Sequence, residues 1–359
     1  MSKHTDFYWG AAIQCHPNLA LNTLCHKGQL PYLSLFMALN RHCSNTLRYP
    51  MRNTLVPHIF NCLARLPLPA SRALGALIGQ CLWLANGRSR RITLKNINAC
   101  FPQLSTSEVQ TFAQESLIET AKTAAEASVI WRNSWEWLHS KIVEVEGEEI
   151  LRTELAKGRG LVALAPHLGN WEVIAPYLAS IAPLAAMYEP APIPTIDKLI
   201  LSGRSKCNIT MAPTNRKGVC ILLKTLQQGH IVGILPDQLP KKDAGSEFAP
   251  FFGHEVLTMT LVHSLISRTQ SPVISLFAKR VPGGFKVIVL PADDAIYSDD
   301  MVQSVTGLNK SVENCVHLAP AQYQWEYNRF RFPKTHQEAR EQKKFAFSCK
   351  KNCDTNPAQ

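Results

Sequence analysis

Short apolar runs bounded by glycine, proline or polar residues recur through the middle of the chain and predict strands. The predicted strands cover residues 161–165, 184–188, 209–211, 231–235, 273–278 and 285–290. Helical patterns lie between or beside them, at residues 108–130, 148–157, 171–181, 195–201, 218–228 and 301–317. Because strands alternate with helices, the pattern predicts an α/β fold with a mixed, mostly parallel central sheet and helices on both faces. The last two strands flank a Pro-Gly-Gly turn, which predicts an antiparallel hairpin.

Two further apolar segments with helical character, residues 55–66 and 71–84, precede this region. In the second, the apolar side chains near one face are Leu74, Leu77, Ile78, Cys81 and Leu82. A basic run follows at Arg88, Arg90, Arg91 and Lys95. An apolar hairpin followed by arginines is typical of a segment lying in a membrane interface. A buried helix pair with a solvated basic end explains the same pattern equally well.

The composition supports a folded protein with a basic surface. Of the 359 residues, 46% are hydrophobic and 18% are charged, which suffices for a sizeable core. The net charge of +11 favours anionic lipid, an acidic protein partner or nucleic acid. Nucleic acid is the least supported of these, because no zinc-finger, RNP-like or helix-turn-helix pattern is evident. No run approaches the roughly 18–20 apolar residues that span a bilayer, and no signal-peptide pattern opens the chain.

The string H-L-G-N-W-E joins the predicted strand 161–165 to the next predicted helix. His167 lies just beyond the strand, Gly169 loosens the backbone, Asn170 can cap the helix, and Glu172 lies in its first turn. We expect Glu172 to accept the proton of one imidazole nitrogen and leave the other free as a general base. A capping histidine beside a surface carboxylate is the alternative. No histidine or cysteine spacing fits a metal site, so none is predicted.

Six motifs in order resemble those of a known enzyme family. H-L-G-N-W-E resembles the H-x4-D/E motif of glycerolipid acyltransferases, and its setting resembles the lipid A biosynthesis (lauroyl/myristoyl) acyltransferases. The other five are N-I-N-A-C-F-P at 96–102, Arg204 in L-S-G-R-S-K, P-D-Q at 236–238, F-A-P-F-F-G-H-E-V-L-T at 248–258, and P-A-Q-Y-Q-W-E-Y-N-R-F-R at 320–331. The resemblance implies a glycerolipid-acyltransferase-like fold preceded by an apolar membrane-contact segment.

The resemblance implies transfer of a fatty acyl chain from an acyl carrier protein thioester to a hydroxyl of a lipid A precursor. His167 and Glu172 are the expected catalytic residues. Arg204 has the planar fork that suits a phosphate of the acceptor. Asp237 ends a buried strand, where it could orient Arg204 or stabilise the site. The expected oxyanion donor is a backbone N–H near Gly169 or an arginine.

Gly169 and Asn170 complete the predicted substrate-binding set. The expected partners are acyl carrier protein, a glycolipid acceptor and the membrane surface, with no nucleic acid and no cofactor besides the thioester donor. The expected location is the cytoplasmic face of the bacterial inner membrane, with peripheral or monotopic attachment. Two alternatives stay open: transfer to another lipid, such as a lysophospholipid or a phosphatidylinositol mannoside, or a catalytically silent lipid-binding relative.

Four regions are predicted from these patterns. Residues 1–52 form an N-terminal extension of unclear structure, and residues 53–95 form the apolar and basic membrane-contact helices. Residues 96–332 form the acyltransferase domain. Residues 333–359 are polar and mostly basic, which predicts a flexible tail.

Overall fold

The structure is a computed structural model that describes residue 58 and residues 60–330, apart from residues 192, 193, 206, 208 and 241–243. Several predictions therefore lie outside the described residues. They concern residues 1–52, residues 55–57 and 59 of the apolar segment 55–66, Arg331, and the tail. The α-helices are α1 Leu68–Leu84, α2 Arg88–Cys100, α3 Thr106–Arg132, α4 Trp135–His139, α5 Glu148–Ala156, α6 Ile174–Ala179, α7 Pro194–Ser205, α8 Arg216–Gln227, α9 Leu261–Thr269 and α10 Met301–Leu318. The strands are β1 Ile142–Glu146, β2 Leu161–Leu164, β3 Leu184–Tyr188, β4 Thr210–Pro213, β5 Ile231–Ile234, β6 Ser246–Phe251, β7 His254–Met259, β8 Val273–Val281 and β9 Gly284–Pro291.

Seven strands form one sheet in the order β1-β9-β8-β2-β5-β3-β4. All neighbouring pairs in this sheet are parallel except β8 and β9, which form the predicted antiparallel hairpin. The mixed, mostly parallel sheet is therefore confirmed. The prediction missed strand β1 and the separate two-stranded hairpin of β6 and β7, since each strand is only five or six residues long and mixes polar residues or a proline with its apolar ones.

Strand β2 shows why helices cover both faces of the sheet. Leu161 and Ala163 pack into one hydrophobic cluster with residues of α5 and α6. Val162 and Leu164 pack into another, with residues of α8, α9 and α10. Successive side chains of a strand point to opposite faces, so a wholly apolar strand requires apolar layers on both sides. The predicted burial of this strand is confirmed.

The long helix α3 begins at the predicted place because Ser105 caps it. The Ser105 side chain accepts a hydrogen bond from the Glu108 N–H, and the Glu108 carboxylate accepts one from the Ser105 N–H. This reciprocal pair is a capping box. Helix α3 then runs beneath the loop that holds His167.

Helix α1 packs on α3 through its small residues rather than through its leucines. Added side chains at Gly75 and Gly79 would lie 2.6 and 2.5 Å from the backbone Cα atoms of Lys122 and Ile118. Leu68 and Trp83 are also buried, but Leu77 and Leu84 lie off this face and are 61% and 69% exposed. A buried helix pair is therefore wrong for the side of α1 that carries Leu77 and Leu84. Within the described residues, no helix is long and apolar enough to cross a membrane.

Candidate active site

The register of two parallel strands brings His167 and Asp237 together, although they are 70 residues apart. Leu164, the last residue of β2, pairs with Ile234, the last residue of β5. His167 and Asp237 each lie three residues beyond their paired strand end. Parallel neighbours end at the same edge of a sheet, so the two side chains meet there. Both are almost fully buried.

Asp237 holds the His167 ring in one orientation. Its Oδ1 lies 2.8 Å from Nδ1 of His167, and its Oδ2 accepts a 3.0 Å hydrogen bond from the His167 backbone N–H. Burial alone would raise the pKa of the Asp237 carboxyl, but the His167 ring and backbone N–H and the charge of Arg329 hold that pKa below its ordinary value. An ionised carboxylate only accepts, so Nδ1 carries the proton and Nε2 is the free base.

The ring of His167 has two further neighbours. The edge of Trp171 packs against it, with ring centroids 4.9 Å apart. The side-chain nitrogen of Gln238 lies 3.0 Å from Nε2 of His167. Since Nε2 is an acceptor in this tautomer, the amide N–H of Gln238 donates to it.

Glu172 does not bind the His167 ring, and the predicted pairing of these two residues is wrong. One carboxylate oxygen of Glu172 accepts a 2.7 Å hydrogen bond from Arg204, and the other accepts a 2.8 Å bond from Nε1 of Trp131. The turn between His167 and Glu172 directs the Glu172 carboxylate toward α3 and α7. It therefore points away from the His167 ring, whose Nδ1 is bound by Asp237. The expectation that Asp237 orients Arg204 is wrong for the same reason, because Glu172 does so.

The loop after His167 is fixed by its backbone. The N–H groups of Leu168, Gly169 and Asn170 donate to the carbonyls of Pro166, Gln322 and Ala278, at 2.7, 3.0 and 2.9 Å. Gly169 has φ +61°, and a Cβ there would lie 2.1 Å from the Ala278 carbonyl oxygen, so only glycine fits. The predicted oxyanion donor near Gly169 is therefore engaged within the protein in this structure.

Asn170 connects the loop to a buried ionic cluster on α3 and β8. Its Oδ1 accepts from the Glu172 N–H, and its Nδ2 donates to Glu126 at 2.8 Å. Glu126 also accepts two hydrogen bonds from Arg280 and one from Arg72. Through these contacts, Asn170 and the ionic cluster hold the loop in place. Substrate binding by Asn170 stays a prediction.

Sequence reasoning missed three features of this site. The roles of Gln238 and of the cluster centred on Glu126 and Arg280 were not expected, and Asp237 was given the wrong neighbour. One signal could have revealed the last of these: His167 and Asp237 follow two apolar strands at equal spacing. No local pattern marks Glu126 or Arg280, which lie 154 residues apart in the chain.

The geometry supplies a buried histidine with one nitrogen protonated toward a carboxylate and the other facing a polar side chain. Such a ring can remove a proton from a hydroxyl that reaches Nε2 at about 2.6–3.2 Å, and general-base catalysis of this kind contributes roughly 10²–10⁴ in rate. The arrangement therefore suits activation of an alcohol for attack on an electrophile.

Comparison with known proteins gives the class of reaction. The family model described as bacterial lipid A biosynthesis acyltransferase matches residues 41–332. The lipid A biosynthesis lauroyltransferase of Escherichia coli is 28% identical over 278 residues, 75% of this chain and 88% of the relative. The palmitoleoyltransferase of the same organism is 27% identical over 74% and 87%, and its myristoyltransferase is 25% identical over 66% and 73%. Since the family model spans most of the chain and includes the whole described site, the protein is an acyltransferase and belongs to the bacterial lipid A biosynthesis acyltransferase family.

Proposed function

We propose that this acyltransferase moves a fatty acyl chain from an acyl carrier protein thioester to a hydroxyl of a lipid A precursor. The observation that supports the proposal most directly is the unprotonated Nε2 of His167, since Asp237 holds the ring in the tautomer with its proton on Nδ1. The names of the similar proteins support a lipid A precursor as the acceptor. The net charge of +11 suits both an acidic carrier protein and an anionic lipid.

In this mechanism, Nε2 of His167 removes the proton of the acceptor hydroxyl as its oxygen attacks the thioester carbonyl carbon. The carbonyl π electrons move to oxygen and form a tetrahedral oxyanion. When the intermediate collapses, the C–S bond breaks and the thiolate takes the proton from the imidazolium. Asp237 stabilises the imidazolium throughout, as the carboxylate of a catalytic triad does. No covalent acyl-enzyme is required.

Arg204 remains the proposed contact for a phosphate of the acceptor. Its Nη2 and Nε donate to Glu172, and its guanidinium lies 5.7 Å from the centre of the Tyr188 ring. Glu172 would then set the direction of the guanidinium rather than act on His167. A catalytic role for Glu172 stays a prediction, and Glu172 would exert it by orienting Arg204.

The proposed function is tested with purified full-length protein, a lipid A precursor and two donors that carry the same acyl chain. We expect mass spectrometry to show a gain of one acyl chain with the carrier-protein thioester and at least tenfold slower transfer from the coenzyme A thioester. The His167→Ala protein serves as the inactive control. Equal rates from both donors would contradict the choice of carrier protein. Transfer only to a lysophospholipid, or to no lipid, would overturn the proposal.

We further propose that α1 and α2 attach the protein to the cytoplasmic face of the inner membrane. Leu77 and Leu84 lie seven residues apart and therefore on one face of α1, and both are largely exposed. Arg88, Arg91 and Lys95 of α2 are also exposed, with the spacing of a single helix face. Exposed leucines beside a basic stripe match an interface of acyl chains and anionic headgroups.

Removing the two arginines should weaken vesicle binding. Each basic side chain near an anionic surface contributes about 1 kcal/mol, so Arg88→Ala with Arg91→Ala should raise the Kd for anionic vesicles by roughly 30-fold at low salt. Co-sedimentation with vesicles measures the change. The matched control is Lys224→Ala with Arg268→Ala, two exposed basic residues on α8 and α9. Equal weakening by both double variants would show that only net charge matters and would contradict this attachment site.

A further inference from the structure

The acyl transfer described above generates an oxyanion, and the loop beside His167 does not present a free donor for it. The backbone N–H groups of Leu168, Gly169 and Asn170 all donate to carbonyls. Arg204 uses its Nε and Nη2 on Glu172, and its remaining N–H groups are assigned above to a phosphate of the acceptor. A tetrahedral intermediate in a site without a hydrogen-bond donor would lose the electrostatic stabilisation that is usually the largest contribution to catalysis. Another group beside the reacting atoms is needed.

Gln238 lies where such a donor must be. Its amide nitrogen is 3.0 Å from Nε2 of His167, the atom that the acceptor hydroxyl has to approach. The amide group has two N–H bonds, of which one points at Nε2 in this structure. The acceptor hydroxyl must take that position at Nε2, so the amide moves aside by about the length of one hydrogen bond. It then remains within side-chain reach of the carbon that the hydroxyl attacks.

The backbone on both sides of Gln238 is anchored, and its side-chain amide is hydrogen-bonded to Nε2 of His167. Asp237 is fixed by its two hydrogen bonds to His167. The N–H of Leu239 donates to the Tyr327 hydroxyl at 2.9 Å. Gln238 itself is half-buried. Because the backbone is fixed, an amide that leaves Nε2 remains within one side-chain length of the reacting atoms.

We infer that Gln238 is a catalytic residue whose side-chain amide donates a hydrogen bond to the acyl carbonyl oxygen as the oxyanion forms. In the resting state the same amide donates to Nε2 of His167 and shields it. When the hydroxyl displaces the amide, the N–H turns to the carbonyl oxygen, whose negative charge grows as the new C–O bond forms. The inference rests on the proposed acyl transfer, but not on the identity of the acyl donor.

The experiment compares Gln238→Glu and Gln238→Ala with the wild type in the transfer assay. Glutamate has nearly the same shape as glutamine but, when ionised, no N–H or O–H to donate. Loss of one oxyanion donor costs about 10²–10³ in kcat. We expect a fall of that size in kcat for both variants, with the KM of each substrate changed less than about threefold. Gln228→Glu, the same substitution at an exposed site after α8, is the matched control and should keep wild-type kinetics.

Thermal unfolding separates a catalytic from a structural role, and the variants should unfold within a few degrees of the wild type. If Gln238→Ala keeps kcat within threefold, or raises it while lowering the acceptor KM, Gln238 only covers Nε2 and the inference is wrong. A loss expressed mainly in KM also overturns it. Failure of the wild type to transfer an acyl chain from any thioester would instead refute the proposed function.

Discussion

Changing His167 to alanine or Asp237 to asparagine should each reduce kcat by roughly 10²–10⁴ while leaving the fold intact. Alanine removes the base. Asparagine keeps the shape of the side chain at position 237 but can direct an amide N–H at Nδ1, which favours the tautomer with the proton on Nε2 and leaves no lone pair for the hydroxyl. Steady-state kinetics with the preferred donor measure both losses.

The double variant tests whether the two residues act as one unit. Because a base and its orienting carboxylate work together, the combined loss should be close to the larger single loss rather than to the product of the two. Glu172→Gln is the matched comparison, since it removes a charge from the same motif without touching the imidazole. We expect it to lose less in kcat than Asp237→Asn. A larger loss in kcat for Glu172→Gln than for Asp237→Asn would indicate that Glu172 orients His167.

Glu126→Gln should cost about 3–5 kcal/mol of unfolding free energy at pH 7, the largest expected effect on stability. Glu126 is fully buried and lies between the guanidinium groups of Arg72 and Arg280, with hydrogen bonds of 2.6–2.9 Å. A neutral amide leaves the buried guanidinium of Arg280 with Glu119 as its remaining carboxylate partner, and it takes a carboxylate away from the half-buried Arg72. Chemical denaturation measures the change. Glu148→Gln, which breaks an exposed pair with Arg152 on α5, is the control and should cost about 0–1 kcal/mol.

The loss of unfolding free energy caused by Glu126→Gln should become smaller as the pH falls. Burial by itself would raise the pKa of the Glu126 carboxyl, but the charge and hydrogen bonds of Arg280, with Arg72 and Asn170, hold that pKa below its ordinary value. A lowered pKa stabilises the folded state above pH 4.5, and that contribution is lost as the pH falls through the lowered value. The difference between wild type and Glu126→Gln should therefore narrow in acid. A constant difference from pH 7 downward would show that the charge of Glu126 is not what stabilises the cluster.

The hydrophobic pattern alone determined most of the sheet and the location of the base. Apolar runs of four to six residues between turn signals have few alternatives to buried strands, so β2, β3, β5, β8 and β9 were predicted close to their observed bounds. The position of His167 directly after β2 followed from the same pattern. The order of six motifs pointed to the family, which the match over residues 41–332 confirmed.

The tertiary structure decided which groups meet. Sequence spacing joined His167 to Glu172, because local patterns connect only residues that are near in the chain. The observed partner, Asp237, is brought in by the pairing of Leu164 with Ile234, and strand order is not encoded in the spacing of any motif. In the same way, α1 exposes Leu77 because Gly75 and Gly79 let its backbone approach α3. A helix with apolar residues on one face and small residues on another can bury either, and only its packing partner selects the buried face.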